Sequence, residues 1–340
     1  MPGVISATGG THAIEKEGDG TLVLAAANTY AGTTTIEDGA LRAIDGVGLP
    51  TSSVLRLRGG VWEGNGTFNR NVGIAVGNVN WKDAINDNDG GFSAQGGNLI
   101  VTLSSGTAQR WGSGSFVSTN DSLLFGSNTS DAIVNFTNPI DLGLGTVQRT
   151  VKVANNPHST TDMAELSGLL SGTAGLNKTG AGELVLSAAN TYTGSTNVND
   201  GTLTITGSLS STVIVDTDAM VGGNGQITGN LINLGRNGPG NSPGTLTVDG
   251  NYTQATSGAL EIELVSGGGV AGADYDRLAV TGSAILEGTL DLLIDPEYVP
   301  VLGHAMPTVV SADAVSAVSY THLRAHETEA DLVCRLLLEK

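Results

Sequence analysis

Short stretches in which apolar and polar residues alternate recur along most of this chain. In residues 55–58, 245–249, 260–264 and 290–295, leucine, isoleucine or valine occupies every second position. A period of two between glycine-containing turns predicts strands with one buried face. No convincing amphipathic helix precedes about residue 320, so the pattern predicts an all-β chain of many short strands.

Two segments of the chain are copies of one another. Residues 16–41 read KEGDGTLVLAAANTYAGTTTIEDGAL and residues 178–203 read KTGAGELVLSAANTYTGSTNVNDGTL, with 16 of 26 positions identical. The glycines and the Asp-Gly pairs predict turns, and the Leu-Val-Leu and Thr-rich runs between them predict strands. One such unit cannot bury its own apolar face, so the repeat predicts a stacked β architecture.

Composition narrows the functional classes. The 340 residues include 50 glycines and 4% aromatic residues, and the net charge is −18. Few aromatic residues predict a thin core of small aliphatic side chains, and glycine without a three-residue period excludes collagen. The absence of a basic cluster argues against nucleic-acid binding, and the acidic surface suits a soluble extracellular protein. The sequence shows neither an apolar run long enough for a transmembrane helix nor the pattern of a signal peptide.

The repeat also resembles a known family. Residues 176–203 fit the pattern L-x-K-x-G-x-G-x-L-x-L-x-x-x-N-x-Y-x-G-x-T-x-[IV]-x-x-G-x-L almost throughout, and residues 14–41 fit it slightly less well. This pattern resembles the autotransporter-associated β-strand repeat, also called the passenger-associated transport repeat, of bacterial surface proteins. Residues 238–254 and 273–292 resemble the closing segment of such proteins.

The resemblance implies a right-handed parallel β-helix, or β-solenoid, over residues 1–314, with repeat copies at 14–41 and 176–203. It also implies export to the cell surface or beyond, and it implies no shared enzymatic activity. Because the chain shows no signal peptide, membrane span or translocator, we expect it to be a fragment of a longer exported protein. We expect this fragment to be monomeric.

The C-terminal residues differ from the rest. Residues 318–340 contain no glycine, although the preceding part holds all fifty, and they include Cys334, the only cysteine. They resemble a translated sequencing adaptor. We interpret residues 315–340 as a short non-native tail, helical or disordered, with a genuine amphipathic helix as the alternative.

One segment resembles a calcium-binding loop. Residues 83–90 place oxygen-bearing side chains at alternate positions before a glycine, and the candidate Ca²⁺ ligands are Asp83, Asp87 and Asp89. The first loop position holds Ile85 and the twelfth holds Gly96, so a polar turn is the competing interpretation. No other cofactor, and no catalytic residue, is predicted.

Other polar residues invite functional interpretations that the sequence favours less. Acids two positions apart on a strand share a face, as polysaccharide hydrolysis requires, but a solvated outer face fully explains Glu261 and Glu263, and Asp274 and Asp276 belong to the segment that resembles the family's closing motif. A histidine near an acid and serines is more typical of a solvent loop. Paired Asn and Tyr side chains suggest glycan stacking, but turn packing is the simpler interpretation. These residues are Asp216 and Asp218, Glu261 and Glu263, Asp274 and Asp276, His158 and Asp162, and Asn28, Tyr30, Asn190 and Tyr192.

We therefore predict a structural or adhesive segment of an exported bacterial surface protein, extracellular or at the cell surface. It has no catalytic activity, and its partner is an unknown surface or glycan ligand. Two alternatives remain open: a polysaccharide-processing β-helix enzyme, and a glycan- or calcium-binding surface module.

Overall fold

The computed structural model describes residues 3–7, 11–82, 89–299, 308–317 and 323–325. The calcium-ligand candidates Asp83 and Asp87, and most of the predicted tail, lie outside the described residues. The chain forms two compact units, Met1–Val185 and Leu186–Lys340. The boundary between them falls inside the second repeat copy. The predicted domain bounds, 1–314 and 315–340, stay predictions.

Unit 1 consists of short strands and one 3-10 turn at Ser104–Gly106. Its strands, the last of which crosses the unit boundary, are β1 (Ile14–Lys16), β2 (Thr21–Leu24), β3 (Thr34–Ile36), β4 (Ala40–Ala43), β5 (Leu55–Leu57), β6 (Val61–Phe68), β7 (Val79–Asn80), β8 (Gly90–Val101), β9 (Gln109–Arg110), β10 (Ser122–Phe125), β11 (Ile133–Phe136), β12 (Ile140–Asp141), β13 (Gln148–Val153), β14 (Met163–Leu166), β15 (Leu170–Ser171), β16 (Gly175–Thr179) and β17 (Glu183–Leu186).

The ladders of unit 1 are parallel, and each strand pairs with a strand of the neighbouring coil. One face has the order β1-β3-β5-β7, and another has the order β9-β12-β15. A third face runs through β2, β4, β6, β8, β10, β13 and β16. β8 belongs to two faces, because its first half pairs with β10 and its second half pairs with β11.

Unit 2 continues with strands of two to six residues. They are β18 (Ala189–Asn190), β19 (Thr196–Val198), β20 (Gly201–Ile205), β21 (Ser208–Leu209), β22 (Val213–Val215), β23 (Ala219–Gly223), β24 (Gln226–Ile227), β25 (Leu231–Asn233), β26 (Arg236–Pro239), β27 (Thr245–Val248), β28 (Tyr252–Gln254), β29 (Ala259–Leu264), β30 (Arg277–Val280), β31 (Ser283–Leu286), β32 (Thr289–Ile294), β33 (Val310–Ser311), β34 (Ala314–Ala317) and β35 (Leu323–Ala325).

The strands of unit 2 form three parallel faces, and each coil contributes one strand to each face. The orders are β18-β21-β24-β27-β30-β33, β19-β22-β25-β28-β31-β34 and β20-β23-β26-β29-β32-β35. On the second face, Val213, Leu231, Tyr252 and Ala284 are register neighbours and point into the core. The predicted all-β parallel β-helix is therefore confirmed.

The core departs from the prediction in one respect. All five phenylalanines and all three tryptophans form one connected network of ring contacts in unit 1, with neighbouring centroids 4.6–6.4 Å apart. The prediction of a thin aliphatic core is therefore wrong between residues 62 and 136. The long strands β6 and β8 lie in this stretch, and its interior is filled by large rings.

The described part of the tail differs from the expectation of a helix or disorder. Residues 323–325 form β35, which pairs in parallel with β32 through Leu290 and Leu323. The free edge of β32 offers unpaired N–H and C=O groups to any extended segment, and this accounts for the strand. Within the described ranges, no helix is long and apolar enough to cross a membrane.

We predict that Phe92→Ala lowers the free energy of unfolding by about 3–5 kcal/mol, because the phenyl ring is fully buried and contacts three other rings. Chemical denaturation of the full chain measures this difference. Leu144→Ala is the control, since Leu144 is 73% exposed and its loss leaves no cavity. Equal effects of the two substitutions would contradict the core described here.

Candidate functional site

The lysine of the repeat is buried in both copies: Lys16 is 6% exposed and Lys178 is fully buried. Nζ of Lys16 donates to the backbone oxygens of Gly18 and Asp38, the second at 3.0 Å. Nζ of Lys178 donates to the backbone oxygen of Gly180. A buried ammonium needs hydrogen-bond acceptors or a counter-ion, and here backbone oxygens of the glycine turn supply acceptors, so the lysine holds that turn in place.

Both copies also contain a chain of three buried hydroxyls, from the tyrosine to a threonine of the same copy and on to a serine in the next coil. The oxygen–oxygen distances are 2.8 and 2.7 Å in the first copy and 2.6 and 2.7 Å in the second. The residues are Tyr30, Thr34 and Ser53, and Tyr192, Thr196 and Ser211. The polar residues of the repeat therefore join neighbouring coils.

These contacts remove the repeat from the list of glycan-stacking candidates. Tyr30 and Asn190 are 1% exposed, Tyr192 is fully buried and Asn28 is 7% exposed, so none offers a face to a sugar ring. Burial raises the pKa of Tyr192 to about 12, although its bond to Thr196 acts in the opposite direction. The interpretation of these side chains as turn packing agrees with this burial.

Only one of the three calcium-ligand candidates lies within the described residues. Oδ1 of Asp89 accepts a hydrogen bond of 2.6 Å from the backbone N–H of Ser122. The backbone oxygen of Asp89 accepts a second bond, of 2.7 Å, from Gly59. In the described part of the chain, no group of three or more histidine, cysteine or acidic side chains is placed to hold a metal. Calcium binding by Asp83, Asp87 and Asp89 stays a prediction.

The carboxylate pairs of the sequence divide into exposed and buried members. Asp216 and Asp218 are exposed turn residues. Glu261 is only 7% exposed and accepts a 2.8 Å bond from Nη2 of Arg236. The interpretation of Glu261 as a solvated outer-face residue is therefore wrong, because a charged partner on the preceding coil covers it.

Asp276 is also buried, although no local sequence pattern indicates it. Its carboxylate accepts backbone N–H bonds from Gly244 at 2.8 Å and from Glu263 at 2.9 Å. Burial raises the pKa of Asp276 to about 6, against the effect of these two bonds. Asp276 therefore ties the turn before β27 to β29. Neighbouring Asp274 accepts bonds from Ser266 and Val270, which lower its pKa.

His158 is exposed, and its backbone N–H donates to Asn156 at 3.1 Å. Asp162 has other partners: its Oδ2 accepts hydrogen bonds from the backbone N–H of Asn156 at 2.7 Å and from the Ser130 hydroxyl at 3.2 Å. Among the described histidines, neither the His12 nor the His158 ring has a recorded bond to a serine or a carboxylate. The solvent-loop interpretation of His158 fits this geometry.

The most elaborate polar cluster of the described residues was not predicted. Glu63, on the outer side of β6, is fully buried. Its carboxylate lies 2.6 Å from Nε of Arg42 and accepts bonds from Ser93 at 3.0 Å, Ser127 at 2.5 Å and Thr129 at 2.9 Å. A buried carboxylate is stable where hydrogen bonds and a counter-ion satisfy it, as here.

Glu63 is covered by residues 126–130, the first part of the connection between β10 and β11, here called the strap. Its Thr129 hydroxyl reaches across the outer face to Thr21 at the start of β2, at 3.2 Å. At the other end, Ser130 is held by Asp162. The Ser/Thr-rich run SNTS is the one local sequence signal of the strap. Its contacts are not predictable from that run, because the partners are up to 108 residues away.

A groove of about 280 Å³ runs beside the strap on the outer face of unit 1. Val61 and Leu124 line its floor, and Gly91 stands between them in the ladder register. Asp19 and Asp38 line one part of the rim, and Lys152 lines another. The lining combines apolar side chains, of which Val61 is only 4% exposed, with charged groups at the rim.

The comparisons with known proteins agree with the repeat geometry. Residues 14–43 and 176–205 match the family described as Passenger-associated-transport-repeat. An extracellular serine protease of Serratia marcescens is 31% identical over 153 residues, which cover 43% of this chain and 14% of that protein. The adhesin BmaC autotransporter of Brucella suis biovar 1 (strain 1330) is 34% identical over 131 residues, 37% of this chain and 4% of that protein. The chain spans a small part of both relatives.

We predict that Asp276 makes the free energy of unfolding fall by about 1–2 kcal/mol as the pH rises from 4 to 7. Its pKa is about 6 in the folded chain against 3.8 without burial, so the unfolded chain ionises first and gains stability. Urea unfolding of the full chain and of Asp276→Asn across this range measures the difference. Asp218→Asn is the control, and a wild-type–variant difference independent of pH would refute the assignment.

We predict that Glu63→Gln lowers the free energy of unfolding by about 2–4 kcal/mol and opens the strap to proteases, because it leaves Arg42 without its counter-ion. Limited proteolysis mapped by mass spectrometry locates the cleavage. Glu261→Gln is the matched control: it breaks an arginine pair that no strap covers. A strap as resistant in Glu63→Gln as in wild type would show that Glu63 does not fasten it.

Proposed function

We propose that this chain, in which residues 14–43 and 176–205 match the passenger-associated transport repeat, is a structural and adhesive segment of an exported bacterial surface protein. The proposal includes location outside the cell and the absence of catalytic activity. The observation that carries it is the use of the repeat's polar residues. Lys16, Tyr30, Thr34 and Ser53 are occupied by bonds between turns and coils rather than by a surface site.

The charge distribution supports the same role. A net charge of −18 favours a soluble molecule that repels copies of itself. Ladder hydrogen bonds leave both edges of each inner strand, so each coil is held by the coil before it and the coil after it. A segment of this kind suits a spacer that carries an adhesive surface away from the cell.

Proteolysis is the second candidate function, since one relative is named as a serine protease. The aligned 153 residues are 14% of that protein, so the likeness supports a common architecture as readily as a common activity. Nucleophilic catalysis requires a serine, a base and an orienting acid that converge. The contacts of His12 and His158 among the described residues do not favour this arrangement.

We predict that the full chain, fused between a secretion leader and the outer-membrane translocator of a laboratory autotransporter, reaches the outside of intact cells. External protease would then remove it, and the cells would gain adherence to host-cell monolayers over cells that carry the fusion without the insert. In parallel, purified full chain should remain unlabelled by a fluorophosphonate probe of serine hydrolases. Labelling of a serine would favour the protease, and display without any gain in adherence would leave only the spacer part of the proposal.

A further inference from the structure

Two asparagines face the interior of unit 2 from neighbouring strands of one coil. Asn233 ends β25, Asn237 lies in β26, and both side chains are fully buried. In the ladder of its face, Asn237 has Val221 and Leu260 as register partners, and both of these side chains belong to the core. An amide group in such a place requires hydrogen-bond partners, because its transfer from water is otherwise unfavourable.

The described part of the chain satisfies only one atom of these two amide groups. Nδ2 of Asn233 donates to the backbone oxygen of Ala259 at 3.0 Å and to the hydroxyl of Tyr252 at 3.3 Å. Oδ1 of Asn233, and both Nδ2 and Oδ1 of Asn237, are buried and have no hydrogen-bond partner among the described residues. Buried polar atoms are nearly always bonded to protein or to ordered water, so these three atoms of one coil need a partner.

The next coil shows which donor Asn233 lacks. Gln254 is the register partner of Asn233, and its Nε2 donates to the backbone oxygen of Thr289 at 2.9 Å. Oε1 of Gln254 accepts a 2.9 Å bond from the hydroxyl of Tyr252. In the coil of Asn233, Leu231 is the register partner of Tyr252, and its side chain has no donor to offer. The same inward amide is therefore satisfied in one coil and keeps an unpaired oxygen in the other.

The two asparagines flank the same part of the following coil. The amide of Asn233 reaches the backbone oxygen of Ala259, and the next residue, Leu260, is the register partner of Asn237. Leu290 continues this inward row one coil further. Because an asparagine side chain is smaller than a leucine side chain, the coil of Asn237 fills less of the core than the two coils that follow it. The core therefore becomes smaller in side-chain volume and more polar at the same place.

We propose that this coil binds one ordered water molecule inside unit 2, between the amide groups of Asn233 and Asn237. The water donates to Oδ1 of each asparagine and accepts from Nδ2 of Asn237, and a buried water typically makes about three such bonds. It links the second face of unit 2 to the third face at the corner that β25 and β26 share. Asn237 is then a water-binding residue, and the core needs no unpaired amide at this coil.

The test is oxygen-17 magnetic relaxation dispersion of water in a solution of the full chain, which counts the water molecules that tumble with the protein. Asn237→Leu extends the leucine row into this coil and removes two of the three atoms that hold the water, so the count is expected to fall by one. Asn65→Leu is the control, because Asn65 is exposed and the same change of side chain there removes no buried water. Its count is expected to equal that of the wild type.

A water count that Asn237→Leu leaves unchanged would overturn the proposal, and so would an equal loss in Asn65→Leu. If Asn237→Leu does not fold, the wild-type chain decides by nuclear magnetic resonance. Cross-relaxation between water and the assigned side-chain amide protons of Asn237 is expected, with the sign of a water that tumbles with the protein. No cross-relaxation at this amide would show that the site is dry. Failure here leaves the proposed function intact, since export and adherence do not depend on a buried water.

Discussion

Parallel pairing between strands one coil apart is the constraint on which the structure of each unit depends. In a parallel ladder, a residue meets its register partner one coil later, so every position is repeated along the face. A polar residue turned inward must therefore find a partner on the next coil or in the adjacent turn. The buried lysines, tyrosines and threonines of the repeat meet this requirement with backbone oxygens and with each other. The glycines of the turns adopt a left-handed backbone conformation, with φ values of 74° for Gly18 and 76° for Gly180.

The same constraint separates polar residues that build the fold from those that remain for recognition. Glu63, Glu261 and Asp276 are acidic, yet each is buried and accepts bonds from another coil or turn. Asp19 and Asp38 are exposed, and they line a groove. An acidic composition therefore contains two populations of carboxylates, and only contacts between distant residues distinguish them.

The fold class was predictable because the alternation of Leu260, Ile262 and Leu264 with glutamates is a local signal. The repeat was predictable for the same reason, and its strands β2 and β17 lie on the predicted Leu-Val-Leu runs. The aromatic cluster was not predictable, since nothing local shows that Trp62 and Phe136 share one interior. Nor was the fastening of the strap, because the bond between Glu63 and Thr129 joins positions 66 residues apart. The groove depends on that strap and was missed with it.

Hydrogen–deuterium exchange of the full chain, followed by mass spectrometry, tests most directly whether coil-to-coil pairing holds each unit together. The account predicts slow exchange in the strands of every face, including the three-residue strands β19 and β25, and fast exchange in the exposed turns between them. Slow exchange limited to the aromatic region of unit 1, with fast exchange through the strands of unit 2, would contradict it. In that case large buried rings, rather than the ladders, would be the source of the stability.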